Sequence, residues 1–182
     1  METTVVVVKE QQEVFTPSLT VTNKREKTCK ELIKSEYRKE CEKLTWLFAV
    51  LYGDASEEIK NKFFEYHGYD VPEDAADCGE KAQEILCNYG LEISYNLPED
   101  NRSRGYLRWL VSWGGPSDEW RFYFVPGESK PYKIEYIYSD WFDSAKVVCT
   151  KGRVANLLWD WLYELDTPDY EYRRAKKESE EF

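Results

Sequence analysis

The sequence predicts an α+β fold, with N-terminal helices and one C-terminal helix packed on a five-stranded antiparallel meander sheet. Three observations carry this. From Cys29 to Tyr89 apolar residues recur every three or four positions, in three stretches. From Leu91 to Thr150 they alternate instead, and Trp, Tyr and Phe fill short runs broken by turn residues. From Val154 to Leu165 the helical spacing returns. Helices grouped apart from strands give helices packed on an antiparallel sheet rather than a wound βαβ arrangement.

Each element has its own signal. Residues 1–22 alternate Val, Thr, Glu and Gln, with Pro17 blocking a helix, so they are expected as an added edge strand or a flexible arm. One domain is expected over residues 23–168, divided into a helical part at 23–90, a sheet at 91–150 and a helix at 151–166. The first helix is expected from a capping box of Asn23 and Glu26, carrying the stripe Cys29, Ile33, Tyr37, Cys41, Leu44, Phe48 and Leu51 as far as Gly53. Asp54 with Glu57 repeats the box before Ile59, Phe63 and Tyr66, and Gly68 marks the stop; Asp77 with Glu80 opens a third helix ending at Gly90. Leu91 to Leu97 alternates as a half-buried strand. The turns between the four later strands are expected at Gly114 to Asp118, Pro126 to Ser129 and Ser139-Asp140. Pro168 is read as the limit of the last helix, and residues 169–182, where charge dominates without an apolar stripe, as a tail or frayed helix.

Composition narrows the function classes. With 25 Lys and Arg against 35 Asp and Glu the chain carries a net charge of −10, which repels nucleic-acid phosphates and favours a basic protein partner. Five cysteines in no CxxC pair suggest neither a disulfide framework nor a zinc site, and fit reduced cytosolic thiols. Val5 to Val8 is too short for a signal core or a membrane span, so a cytoplasmic protein without membrane contact is expected.

Catalytic signatures are sparse. His67 is the one histidine, placed just before Gly68 where an imidazolium complements a helix C-terminus. Gly114-Gly115 precedes a strand, not a helix, so it is a hairpin loop and no phosphate loop. A metal-dependent nuclease is weighed on Asp118, Glu119, Glu135, Asp140 and Asp143 with Lys133 and Lys146, but most of these acids are read as turn residues. No catalytic residue, metal or cofactor is expected.

Two surfaces remain as binding candidates. On the second strand Tyr106, Arg108, Leu110 and Ser112 face away from Leu107, Trp109, Val111 and Trp113; Arg121 and Tyr123 on the next strand face away from Trp120, Phe122 and Phe124. The Tyr106, Arg108, Arg121 and Tyr123 face, with Glu135 as a further candidate, could stack bases, serve a protein partner, or simply form cross-strand pairs. Charge is also uneven: Lys24 to Lys43 holds eight Lys and Arg against five Glu, whereas Asp54 to Glu84 holds ten Asp and Glu against three Lys. The acids Glu57, Glu58, Asp70, Glu73, Asp74 and Asp77 could imitate a phosphate track and occupy a basic groove, although a solvated acidic face is the ordinary reading of such a run.

The segment from Tyr106 through Trp113-Gly114-Gly115-Pro116-Ser117-Asp118-Glu119-Trp120 to Phe124, followed by Ile134 to Asp143, resembles a pattern of small phage, plasmid and mobile-element proteins. Small acidic, aromatic-rich proteins of this sort are similar to anti-CRISPR and antirestriction proteins. The resemblance implies a non-enzymatic inhibitor in a bacterial cytoplasm, whose partner is a host CRISPR effector nuclease, a type II effector by its basic channel, or another basic nucleic-acid-binding protein. It carries over no functional residues. The alternative is a sheet-based module for single-stranded nucleic acid, to which the basic Lys24 to Lys43 helix could add a footprint.

Overall fold

The protein is described by a computed structural model over residues 27–99 and 104–181. The expected arm at residues 1–22 and the Asn23–Glu26 cap lie outside the described residues. Within them the chain runs α1(Cys29–Leu51), α2(Glu57–His67), α3(Ala75–Cys87), β1(Glu92–Asn96), β2(Tyr106–Ser112), β3(Ser117–Tyr123), β4(Lys133–Asp140), β5(Asp143–Val148), α4(Arg153–Glu164) and α5(Thr167–Glu180). The sheet is an antiparallel meander in the order β1-β2-β3-β4-β5. This is the predicted α+β architecture.

One face of the sheet is the core. Leu107, Trp109, Trp120, Phe122, Phe124, Ile134 and Tyr136 alternate along β2 to β4 and just beyond, and all are buried. Above them lie Ile33, Leu44, Leu47 and Phe48 of α1 and Leu158, Trp159 and Leu162 of α4. Trp159 packs on Phe122 and Phe124, with ring centroids 5.8 and 5.2 Å away. Full burial of an apolar side chain contributes about 1.5–3 kcal/mol, so the sheet alternation and the helix stripes that cover it together build the core. Helices α2 and α3 pack on α1, where Phe63, Phe64, Ala82 and Leu86 are fully buried.

Several local expectations are corrected. The α1 cap is Thr28, whose backbone N–H donates to Glu31 at 2.8 Å. Ser56, not Asp54, caps α2 by accepting from the Ile59 N–H, and Asp74, not Asp77, caps α3 by accepting from the Ala76 N–H at 2.6 Å. In each of these two helices a second cap-type residue lay within three positions, so the spacing did not discriminate. Gly68 ends α2 at φ 73° as expected, but α3 ends at Asn88. Gly90 instead lets the chain pass under Trp109, since a Cβ there would lie 2.2 Å from the indole nitrogen. Ser117 and Asp118 belong to β3, and the last hairpin turns at Trp141-Phe142 with Trp141 at φ 49°.

Residues 169–181 are no tail. Pro168 opens α5 near its N-terminus, where its missing N–H costs nothing, and is buried. Tyr172 sets its ring edge-on to Tyr95 of β1 at 5.2 Å, buried Glu171 pairs with Arg174 at 2.9 Å, and Asp169 accepts the Gly127 N–H at 3.1 Å. The anchor is a buried proline, a tyrosine and the Asp169–Gly127 hydrogen bond, which no aliphatic periodicity would reveal.

Candidate functional site

A cleft of about 520 Å³ opens between α1, the α2–α3 connection and the ends of β2 and β3. A β-bulge builds its sheet side. Leu110 pairs with Glu119 but Ser112 pairs with Asp118, so Val111 is an extra residue and the alternation of β2 slips by one. Ser112, expected on the outer face with Arg108, is thereby turned to the helix side, where its hydroxyl donates to Asp118 and accepts the Asp118 N–H at 3.2 Å. The Tyr136 hydroxyl donates to the other Asp118 oxygen at 2.8 Å. On the helix side Glu40, buried on the apolar stripe of α1, accepts from the Tyr89 hydroxyl at 2.7 Å and pairs with Lys43 at 3.3 Å; Trp120 Nε1 donates to the same Tyr89 hydroxyl at 2.9 Å.

Burial, with Glu40 beside one and Asp118 beside the other, pushes the Tyr89 and Tyr136 phenols far above their ordinary range, so both remain donors at any physiological pH. Burial opposes the Lys43 charge, but the Tyr66 hydroxyl and Glu40 outweigh it and hold its pKa up. His67 lines the mouth, its ring 4.9 Å from Phe63 and 5.0 Å from Tyr66. His67 lies in the last turn of α2 before Gly68 as expected, but burial and the Lys43 charge lower its pKa and so work against the imidazolium form there. Leu44, Leu47, Ile85 and Val111 supply apolar lining, and Tyr66 and Tyr69 supply walls.

The six predicted acids divide into groups. Glu57 pairs with Lys60 and Glu58 with Lys62, each at 2.8 Å, and Asp74 is the α3 cap. Asp70, Glu73 and Asp77 are exposed and form no ion pair among the described residues. Asp70 and Asp77 line a shallow depression with Tyr69, Glu80, Lys81 and Glu84, next to the cleft, whose wall shares Tyr69 and Glu84.

The outer sheet face does bring Tyr106, Arg108, Arg121 and Tyr123 together. Tyr106 and Tyr123 lie 5.3 Å apart. Arg108 and Arg121 sit opposite each other and both donate to Glu119, the Arg108 bond measuring 2.6 Å. Arg121 covers the Tyr106 ring at 4.7 Å and Lys133 covers Tyr123 at 4.1 Å. Glu135 accepts from Tyr123 at 2.9 Å and pairs with Lys133 and Lys146 at 3.0 Å each. Burial and Glu135 push Tyr123 up to about 12. Burial works against the Glu135 charge, but its hydrogen bonds to Lys146, Lys133 and Tyr123 prevail and lower its pKa.

Glu119 and Glu135 are therefore buried mid-strand residues rather than turn acids, and Glu135 lies with Tyr123 on the outer face, where it was a candidate. Asp118 opens to the helix side and Glu119 to the other, as alternation along β3 requires. Asp143 accepts the Cys29 N–H at 2.6 Å. Among the described residues no three His, Cys, Asp or Glu side chains group in a way that could hold a metal ion. No helix among them is long and apolar enough to cross a membrane.

Sequence reasoning did not find Glu40, Lys43, Tyr89 or Ser112 as a group. The available signal was a glutamate and a lysine interrupting the α1 stripe three residues apart. Comparisons with protein-family models, curated proteins and solved structures return no significant match.

Proposed function

We propose that this chain is a non-enzymatic antidefence inhibitor of the anti-CRISPR kind, which lays its acidic α2–α3 end on a basic nucleic-acid-binding surface of an effector nuclease. One observation carries the reading: Asp70, Asp77 and Glu80 line one depression, are exposed, and have no cation partner among the described residues. Their charge is left for a partner, whereas Glu57 and Glu58 are already paired. Exposed carboxylates of this kind steer a basic partner and compete with phosphates for its groove. Replacing Asp70 and Asp77 with Asn and Glu80 with Gln should weaken inhibition of a type II effector by about tenfold or more, and raising salt should weaken the parent chain likewise. Glu57→Gln with Glu58→Gln should change little. A folded triple variant that inhibits as well as the parent defeats the reading.

A second reading has its own support. Arg104, Arg108, Arg121, Lys133 and Lys146 outnumber Glu119 and Glu135 around Tyr106, Tyr123 and Tyr132 on the outer sheet face, which suits a single-stranded nucleic acid. Against it, Arg108 and Arg121 share Glu119, and the tyrosine rings already carry the chain's own cations.

A further inference from the structure

We propose that the cleft beneath the β2 bulge is a cation pocket, which takes the guanidinium or ammonium group of an arginine or lysine side chain from a basic protein partner against Asp118. The choice of donor rests on reading the acidic end as a docking surface; cation binding itself rests on the cleft.

Asp118 carries the argument. Its side-chain oxygens accept from two neutral hydroxyls, Ser112 and Tyr136, and it forms no ion pair among the described residues. A carboxylate offers about four acceptor positions, so two remain for a charged donor. The neighbouring Glu40 is spent on Tyr89 and Lys43. Across the lining, Glu40 is paired with Lys43 and Glu84 with Lys81, which leaves Asp118 as the carboxylate without a cation among the described residues and favours a cation there over an anion. The field of these carboxylates is felt inside the fold, where Asp118 and Glu40 both help to raise the Tyr136 phenol.

Shape selects among cations. Arginine and lysine carry an apolar stem and a charged tip. The cleft offers both kinds of surface, Leu44, Leu47 and Val111 for a stem and Asp118 for a tip, between walls of Tyr66 and Tyr69 that already carry Lys43 and Lys81 at 5.3 and 4.0 Å. The bulge that turns Ser112 inward fixes one side of the Asp118 carboxylate, and the Tyr136 hydroxyl fixes the other. The cleft also adjoins the acidic depression through Tyr69 and Glu84. A basic segment lying across Asp70 and Asp77 can therefore send one side chain inward.

The test is a ¹⁵N–¹H titration of the full chain with an acetylated, amidated tetrapeptide bearing one arginine, beside the same peptide with norleucine. Saturable shifts at Ser112, Asp118 and His67 with the arginine peptide are expected, weakened about tenfold or more by Asp118→Asn and several-fold by Tyr69→Ala. Tyr69 is an exposed wall residue, so that variant reads the pocket even if Asp118→Asn is poorly folded. No saturable shift, equal binding of the norleucine peptide, or binding unaffected by either variant overturns the proposal. Arginine-peptide binding at Asp118 together with unchanged inhibition by the acidic triple variant upholds the pocket and defeats the inhibitor reading. Loss of inhibition in that variant without any peptide binding does the reverse.

Discussion

Glu119 holds together the outer face of the sheet. Arg108 and Arg121 are direct cross-strand neighbours, an arrangement that repels unless a counter-charge lies between them. Glu119, only 8 % exposed, supplies it to both. Glu119→Gln keeps the shape and removes the charge, and should cost about 1–3 kcal/mol in urea unfolding, since both guanidinium groups lose their counter-charge and one of them faces an amide NH2 in place of its acceptor. The same change frees two guanidinium groups. If the outer face binds single-stranded nucleic acid, this variant should bind a short oligonucleotide more tightly at low salt, with a salt dependence steeper by about two phosphates. An oligonucleotide affinity unmoved by Glu119→Gln would remove the sheet-face reading.

At the scale of elements, α5 is the piece whose anchoring departs furthest from hydrophobic patterning. Tyr172 meets Tyr95, and Tyr95 in turn meets Phe124 at 5.7 Å, so the helix is tied through β1 to the core. Tyr172→Ala should cost about 1–3 kcal/mol and raise amide exchange in α5 and β1 ahead of the rest of the sheet. Uniform protection in that variant would mean that buried Pro168 and the Asp169–Gly127 hydrogen bond hold α5 without Tyr172. The stripe of α1 and the aromatic alternation of β2 to β4 were legible in the sequence because burial there follows one period. The cleft was not. Glu40 falls on the buried side of α1, where periodicity reads only an interruption; Ser112 changes face at a bulge that alternation cannot register; and Asp118 sits beside a Gly-Pro loop that reads as turn. Composition located the acidic end, but only geometry separates Asp70 and Asp77, which are unpaired among the described residues, from Glu57, Glu58 and Asp74, which are engaged.

On the scale of the whole molecule, charge and burial act in opposite senses as the pH falls. A net charge of −10 means that mild acidification relieves general repulsion, which favours the compact state. His67 works against this. Its folded pKa lies below the ordinary 6.5, lowered by burial and by Lys43, so on acidification the unfolded chain takes up a proton that the folded chain refuses. Its contribution is therefore complete above about 6.5 and is lost as the pH falls through that value toward the folded pKa. Glu135 adds a second, lower window: its folded pKa lies below the ordinary 4.5, so its contribution is present above that value and lost only as the pH falls through the folded one. His67→Gln separates the upper window from the global term, because the substitution leaves the net charge at neutral pH unchanged. Urea unfolding of both chains between about pH 7.5 and about pH 5.5 should show the parent losing stability relative to His67→Gln as the pH drops. A difference that stays constant, or that shifts in favour of the parent on acidification, would mean that the folded chain takes up the His67 proton as readily as the unfolded one, and that acidification adds a positive charge to the cleft lining beside Lys43.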